Sequence, residues 1–346
     1  MPTFRTIKRN LPLSLCIFWL VFCGNAARGD DFADLLTGRS LSSAIPAQMQ
    51  RTDALHQTVL SQINSVHFNN RTFSLWGGGY GGIGKVGKNE DCDFYGGMVG
   101  GELNIGKMFR LGAFYALGKS GLDADSKFGS ATVDSDDNSL GAYVKWDSLI
   151  LSGYSLALGN YTFERYKTGR EIFALEDFSS LDEYYTGKSK GSQWGIYYEK
   201  GWWYAPMPGL NMNSFFAIQY QNLHAGGFQE SGPGALAFRR GDTDFDSLRF
   251  YAGVRTTYYV GQILALSVDG AYVYDFLDDK PYTMTSFVDG EESVKIAGRG
   301  LGRNWLNLGA GVKFSLGGCV SLMANYNCSW GNSVFHTGMG TLRFDF

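Results

Sequence analysis

The chain of 346 residues carries 47 glycines, 15% aromatic residues, only 18% charged residues and a net charge of −3. Glycine thus stands at twice its usual share of roughly 7%, and charge falls below the usual level of roughly 25%. This balance excludes a basic nucleic-acid-binding domain and an acidic disordered tail, and glycines without a three-residue period exclude collagen.

Arg5, Lys8 and Arg9 precede an apolar run from Leu11 to Phe22, and small residues follow. That is the charged start and short apolar core of a secretory signal, too short to cross a bilayer as a helix. Cleavage after Ala26 or after Gly29 suits the small residues there, whereas Phe22 before Cys23 speaks against a lipid anchor. Loss of the signal removes Cys16 and Cys23. Cys92, Cys319 and Cys328 remain, an odd number and no disulfide framework. Cys319 and Cys328 lie too far apart along one strand to bond to each other.

Residues 46–66 read as a helix, with Pro46 in its first turn and Ser42 or Ser43 as the cap. Leu55, Val59, Ile63 and Val66 make a narrow apolar stripe, and Gln50, Arg51, Asp53, Gln57, Ser61, Gln62 and Asn64 cover the rest. A narrow stripe fits a helix inside a polar lumen or a frayed tail.

From residue 72 onward the pattern has period two. Leu264, Leu266, Val268, Tyr272, Tyr274 and Phe276 alternate with Ala265, Ser267, Asp269, Ala271, Val273 and Asp275. Leu248, Phe250, Ala252 and Val254 oppose Arg249, Tyr251, Gly253 and Arg255 in the same way. The spacing predicts strands at 72–80, 93–105, 108–119, 136–147, 148–163, 192–204, 210–222, 246–259, 262–276, 303–314, 319–330 and 337–346. Short links at 106–107, 147–148, 205–209, 260–261 and 315–318 alternate with long ones at 81–92, 120–135, 164–191, 223–245 and 277–302, then a shorter one at 331–336. One rim of tight turns and one of long loops is the layout of an outer-membrane barrel, whose short turns face the periplasm. Tyr272 with Tyr274 and Phe276, Tyr326 with Trp330, and Trp202 with Trp203 and Tyr204 are candidates for its aromatic girdles.

The ordered stretches LWGGGY (75–80), GGE (100–102), SLRFYAGVR (247–255), LSVDGAYVY (266–274), GRNWLNLGAG (302–311) and the terminal LRFDF (342–346) resemble the autotransporter β-domain, the translocator barrel of type V secretion. The resemblance covers about residues 72–346. It implies a twelve-stranded antiparallel transmembrane β-barrel with an N-terminal α-helix in the lumen, placed in the outer membrane of a Gram-negative-type bacterium. It also implies passage through the export translocon and insertion by the barrel-assembly machinery, with Leu342, Phe344 and Phe346 as the assembly signal. The expected division is signal at 1–29, linker with pore helix at 30–71 and barrel at 72–346. The roughly forty residues between cleavage and residue 72 are too few for a passenger domain, so a barrel without a passenger of its own is expected.

Other motifs fail on their context. The glycines at 77–82 spell G-x-G-x-x-G, but a charged loop and another strand follow where a dinucleotide site needs a helix. Gly118-Lys119-Ser120 and Gly187-Lys188-Ser189 lack the upstream glycine of a phosphate loop. Asp134, Asp136 and Asn138 start like a calcium loop, but Ser139 and Lys145 replace the glycine and glutamate it needs. His224 near Asp242 and Asp244, and His336 near Ser333, are the long-loop histidines where an outer-membrane hydrolase would place a nucleophile pair; neither spacing is a known one.

The alternation sends Glu102, Glu199, Asp269, Asp275 and Asp345 into the lumen with Arg110, Lys145, Arg249, Arg255, Lys313 and Arg343. Both signs fit internal ion pairs around a polar helix better than a charge-selective pore. The sequence therefore predicts no enzyme, no cofactor, no metal and no nucleic acid. Outer-membrane lipid and the assembly machinery are the expected partners, and any passenger or surface ligand is unspecified. A stand-alone porin-like channel is the alternative, and an outer-membrane enzyme the third reading.

Overall fold

Strands that follow one another through tight turns pair antiparallel with the least loop closure. The computed structural model describes residues 39–64, 72–86, 90–106, 108–126, 129–148, 152–172, 183–233, 236–277, 280–288, 293–298 and 300–346. The expected signal segment, and Val66 of the expected helix, lie outside them. A helix, α1 (Arg39–Asn64), is followed by β1 (Phe73–Lys85), β2 (Glu90–Ile105), β3 (Phe109–Ser126), β4 (Gly129–Ser148), β5 (Gly153–Ile172), β6 (Glu183–Met207) and β7 (Leu210–Ala225). The chain continues as β8 (Phe228–Gln229), β9 (Phe238–Arg240), β10 (Thr243–Val260), β11 (Leu264–Asp275), β12 (Tyr282–Phe287), β13 (Ser293–Ala297), β14 (Asn304–Leu316), β15 (Val320–Trp330) and β16 (Val334–Asp345). Twelve of these strands close into one barrel, each paired with its neighbour and β1 with β16, in which Trp76 faces Arg343 and Gly79 faces Gly340. β8, β9, β12 and β13 form a separate four-stranded sheet.

The apolar parity faces outward. Leu266, Val268, Tyr272 and Phe276 are exposed, while Ala265, Ala271, Val273 and Asp275 are buried. This is the inversion that separates a membrane barrel from a soluble sandwich. Trp202 and Tyr204 join the outer surface, but Trp203 departs from the expected girdle: it packs inside on Tyr154, ring centroids 5.0 Å apart.

Glycine content follows from the lumen. Inward aromatic rings lie flat across the neighbouring strand, so the residue beneath can have no side chain. A Cβ on Gly100 would sit 2.3 Å from the Trp76 ring, and one on Gly112 would sit 2.2 Å from the Tyr143 ring. Gly96 under Tyr80 and Gly201 under Tyr154 repeat the arrangement. Flattened rings bury apolar area and still leave the barrel centre open for the helix.

Several boundaries differ from the sequence reading. The expected loops 120–135 and 164–191 are largely strand, because alternation continues through Ala131, Val133, Ser135 and Asp137 with polar residues at buried positions. The tight turn expected at Asp147-Ser148 lies later, since these residues pair with Tyr154 and Gly153. The expected loops 223–245 and 277–302 pair with each other through β9 and β12, where Arg239 faces Ser286. The helix begins at Arg39, seven residues before the expected start, and Pro46 lies inside it. Proline has no N–H, so the Ser42 carbonyl one turn earlier loses its helical donor. Gly298, just after β13, packs on that carbonyl, and a Cβ there would come within 2.9 Å of its oxygen.

Candidate functional site

The site is the lumen and the helix that fills it. At 1.5 Å per residue the 26 residues of α1 reach about 39 Å, longer than a hydrocarbon core of roughly 30 Å. Leu55, Val59 and Ile63 are fully buried, and so are the polar Arg51, Thr52, Thr58 and Gln62 beside and between them. The narrow stripe was thus no sign of a frayed tail. Polar side chains can be buried all round because the wall offers partners that lipid could not.

Those partners come from several sides of the barrel. Arg51 Nε lies 2.9 Å from Asp137 of β4, with Glu164 of β5 3.8 Å from its Nη2. Two residues on, and so on the far side of the helix, Asp53 pairs with Arg249 of β10 and accepts from Gln221 Nε2 at 2.9 Å and from Gln219 Nε2 at 3.1 Å. His56 Nε2 donates to Asn160 Oδ1 at 2.7 Å, while its Nδ1 faces Gln219 Nε2 at 3.0 Å, the pattern of one neutral tautomer. Thr52 donates to Gln193 at 2.7 Å, and Gln62 bonds Thr341. Helix and wall form one hydrogen-bonded network.

The two helix ends are held differently. At the short-turn end, Arg110 Nη1 donates to the Ile63 carbonyl at 3.0 Å and Lys145 Nζ to Asn64 Oδ1 at 3.2 Å, two cations at the negative end of the helix dipole. At the long-loop end, the four-stranded sheet meets the first turns, and Arg240 Nη2 donates to Ser42 Oγ at 3.3 Å. Burial lowers the Arg240 pKa to about 10, so the guanidinium stays charged at neutral pH. Arg170 of β5 ties the sheet to the barrel through a two-point pair with Glu230, at 2.6 and 3.2 Å, and a bond to the Leu236 carbonyl at 2.8 Å.

The remaining predicted lumen residues gather in three groups. Arg343 bonds Glu102, Asp345 and Ser74, each at 2.7 Å, and Tyr143 donates to Glu102 at 3.0 Å. Glu199 takes both Arg255 donors, at 2.7 and 2.9 Å, and the hydroxyls of Tyr154 and Tyr197. Asp275 stands 3.5 Å from Arg249. Asp269 and Lys313 instead line a cavity of about 180 Å³ beside the helix, with His56, Tyr251 and Asn325 also on its wall.

The sequence reading left Glu164, Arg170 and Glu230 in loops, placed Asp137 in a strand without giving it a role, and did not foresee Arg51 and Asp53 as the helix's ion-pairing residues. The supposed calcium residues Asp134, Asp136 and Asn138 occupy alternate positions on the outward side of β4, and Asp136 bridges Lys119 and Lys167 at 3.2 and 3.5 Å. His224 pairs with Asp244 at 2.7 Å, and His336 meets Tyr326. Among the described residues no group of His, Cys, Asp and Glu has the geometry of a metal site.

No curated protein matches the chain. Solved structures match in fold at low identity. The translocator domain of the autotransporter NalP from Neisseria meningitidis aligns with TM-score 0.71 and 17% identity, over 91% of this chain and all of that one. The transport unit of AIDA-I from Escherichia coli gives 0.51 and 14%, over 85% of this chain and 97% of that one. The beta domain of the Bordetella autotransporter BrkA gives 0.54 and 14%, over 80% and 100%. The model of the autotransporter beta-domain family matches residues 75–327. With that match over most of the chain, on a closed twelve-stranded barrel around an N-terminal helix, the protein belongs to the autotransporter β-domain family of outer-membrane translocator barrels.

Proposed function

We propose that this chain is a translocator-type pore held shut by its own helix. The observation that carries the reading is the double anchoring of α1, by Arg51 to Asp137 on one wall and by Asp53 to Arg249 on another. A helix about 10 Å across, tied to the wall at strands a third of the circumference apart, leaves little section for ions. The mixed charge of the lumen supports this reading over a charge-selective porin. Leu342, Phe344 and Phe346, all exposed on the outer face at the closing strand, suit recognition by the barrel-assembly machinery after export. Planar-bilayer conductance of the full chain and of a variant lacking residues 39–64 tests the closure. The full chain is expected to be near-silent and the deletion to conduct. A large steady conductance in the full chain would favour the stand-alone channel, and equal traces would place the helix outside the conducting path.

A further inference from the structure

We propose that an outward-facing cationic patch on β5 and β6 binds the phosphate groups of an anionic lipid in the outer leaflet. In the β5–β6 register Arg165 stands opposite Lys190 and Lys167 opposite Lys188, and all four side chains are exposed. Directly opposed residues hold their Cβ atoms roughly 5 Å apart, and like charges there destabilise the sheet. Two such pairs in succession are a cost that the fold itself does not require. Lys119 of β3 extends the patch across β4. Asp136 is shared between Lys119 and Lys167, and Asp134, opposite Lys167, is the other carboxylate on this face of β4. Five cations thus share this face with Asp134 and Asp136, and the next exposed carboxylates are Asp93 and Asp123 beside Lys119 and Glu171 four residues above Lys167. Among the described residues, Arg165, Lys188 and Lys190 form no ion pair. The acids beyond β7 are engaged elsewhere, Asp244 by His224 and Asp246 by Tyr220 and Asn222.

Position names the ligand. Two residues below Arg165 on the same face is Phe163, stacked edge-on with Tyr161 at 4.8 Å, and Trp194 lies against Tyr220 at 5.0 Å. These exposed rings mark the upper edge of the lipid-facing band. At roughly 3.4 Å per residue, the cations begin about 7 Å above them, at headgroup level on the long-loop side. A solvated patch would need no such placement. A phosphorylated lipid places acyl chains on the rings and phosphates among the guanidinium and ammonium groups, where each basic side chain adds to binding.

The test uses the full chain in phosphatidylcholine nanodiscs, with lipid A or its dephosphorylated form as probe and bound lipid counted by native mass spectrometry. Lipid A is expected to be retained over the dephosphorylated form, with the preference fading as salt rises. The variant R165Q/K190Q should weaken retention on the order of tenfold or more, and so should K167Q/K188Q. Lys85→Gln, at an exposed pair with Asp91 outside the patch, should not. Equal retention of both lipids by the wild type would overturn the proposal without any variant having to fold. So would unchanged retention in either double variant that still shows heat-modifiable mobility. Displacement of lipid A by inorganic phosphate at matched ionic strength would reassign the patch to a soluble anion and overturn the lipid assignment.

Discussion

Two substitutions of the same chemistry should separate glycines that make room from glycines that do not. A methyl at Gly100 meets the Trp76 ring at 2.3 Å, whereas a methyl at Gly338 meets nothing within 4 Å. Gly100→Ala therefore forces the ring out of its place and is expected to cost about 1–3 kcal/mol, as overpacking does. Gly338→Ala should be close to neutral, and urea unfolding in detergent reads both. Asp53 makes a different argument at the same scale. Replacing it by alanine leaves Arg249, fully buried, with the longer 3.5 Å contact to Asp275 in place of the close pair. Removing one partner of a buried pair costs roughly 3–5 kcal/mol, and the acid that remains places this case at the lower end. Because Asp53 also receives Gln219 and Gln221, Asp53→Ala should loosen α1 in the lumen. Bilayer recordings should then show opening events absent from the wild type.

At the scale of elements, the outward parity makes its own prediction. Val268→Arg, on the exposed face toward the middle of β11, places a charge in lipid and should cost about 2–4 kcal/mol. Ser267→Arg points to the cavity side and should cost much less. The reverse order in urea unfolding would mean that the faces are exchanged. This parity was legible in the sequence because each strand states it locally, every second residue, and the same holds for the number of barrel strands. The expected long links 81–92 and 120–135 are instead short, since β1 runs to Lys85 with β2 from Glu90, and β3 runs to Ser126 with β4 from Gly129. The remaining elements had no such local statement. β8 and β9 have two and three residues and are fixed by pairing between loops far apart in sequence, as Arg239 with Ser286 shows. The extension of β5 hid because Glu164 is polar at a buried position, and its partner is a helix residue, Arg51. The helix itself was visible, but its start was not. Pro46 is a reasonable first-turn residue by itself, and Ser42 and Ser43 before it are reasonable caps, so that pattern points past the earlier start at Arg39.

For the whole molecule, a pore held shut by its helix, as proposed, has the four-stranded sheet in series with that helix, and their order along the lumen decides what removing each should do. The four-stranded sheet stands at the long-loop end, latched by Arg170 to Glu230 and the Leu236 carbonyl. The helix occupies the barrel below it, held along its length by pairs to β4, β7 and β10. Resistances in series are set by the larger one, so opening the lesser closure alone changes the current little. Arg170→Ala leaves Glu230 buried without its cation, and that should free the sheet from the wall. Added protease should then cut within 226–242 faster than in the wild type. Conductance, however, should stay near the wild-type level, because α1 still fills the section beneath. Deleting 39–64 should raise conductance, and adding Arg170→Ala to that deletion should raise it again. The sheet limits current only once the helix is gone. Barrel closure should survive in all three variants, since the β1–β16 pairing uses none of these residues, and unheated samples should still run ahead of boiled ones. If Arg170→Ala alone opened the pore as far as the helix deletion does, the sheet and not the helix would be the principal barrier.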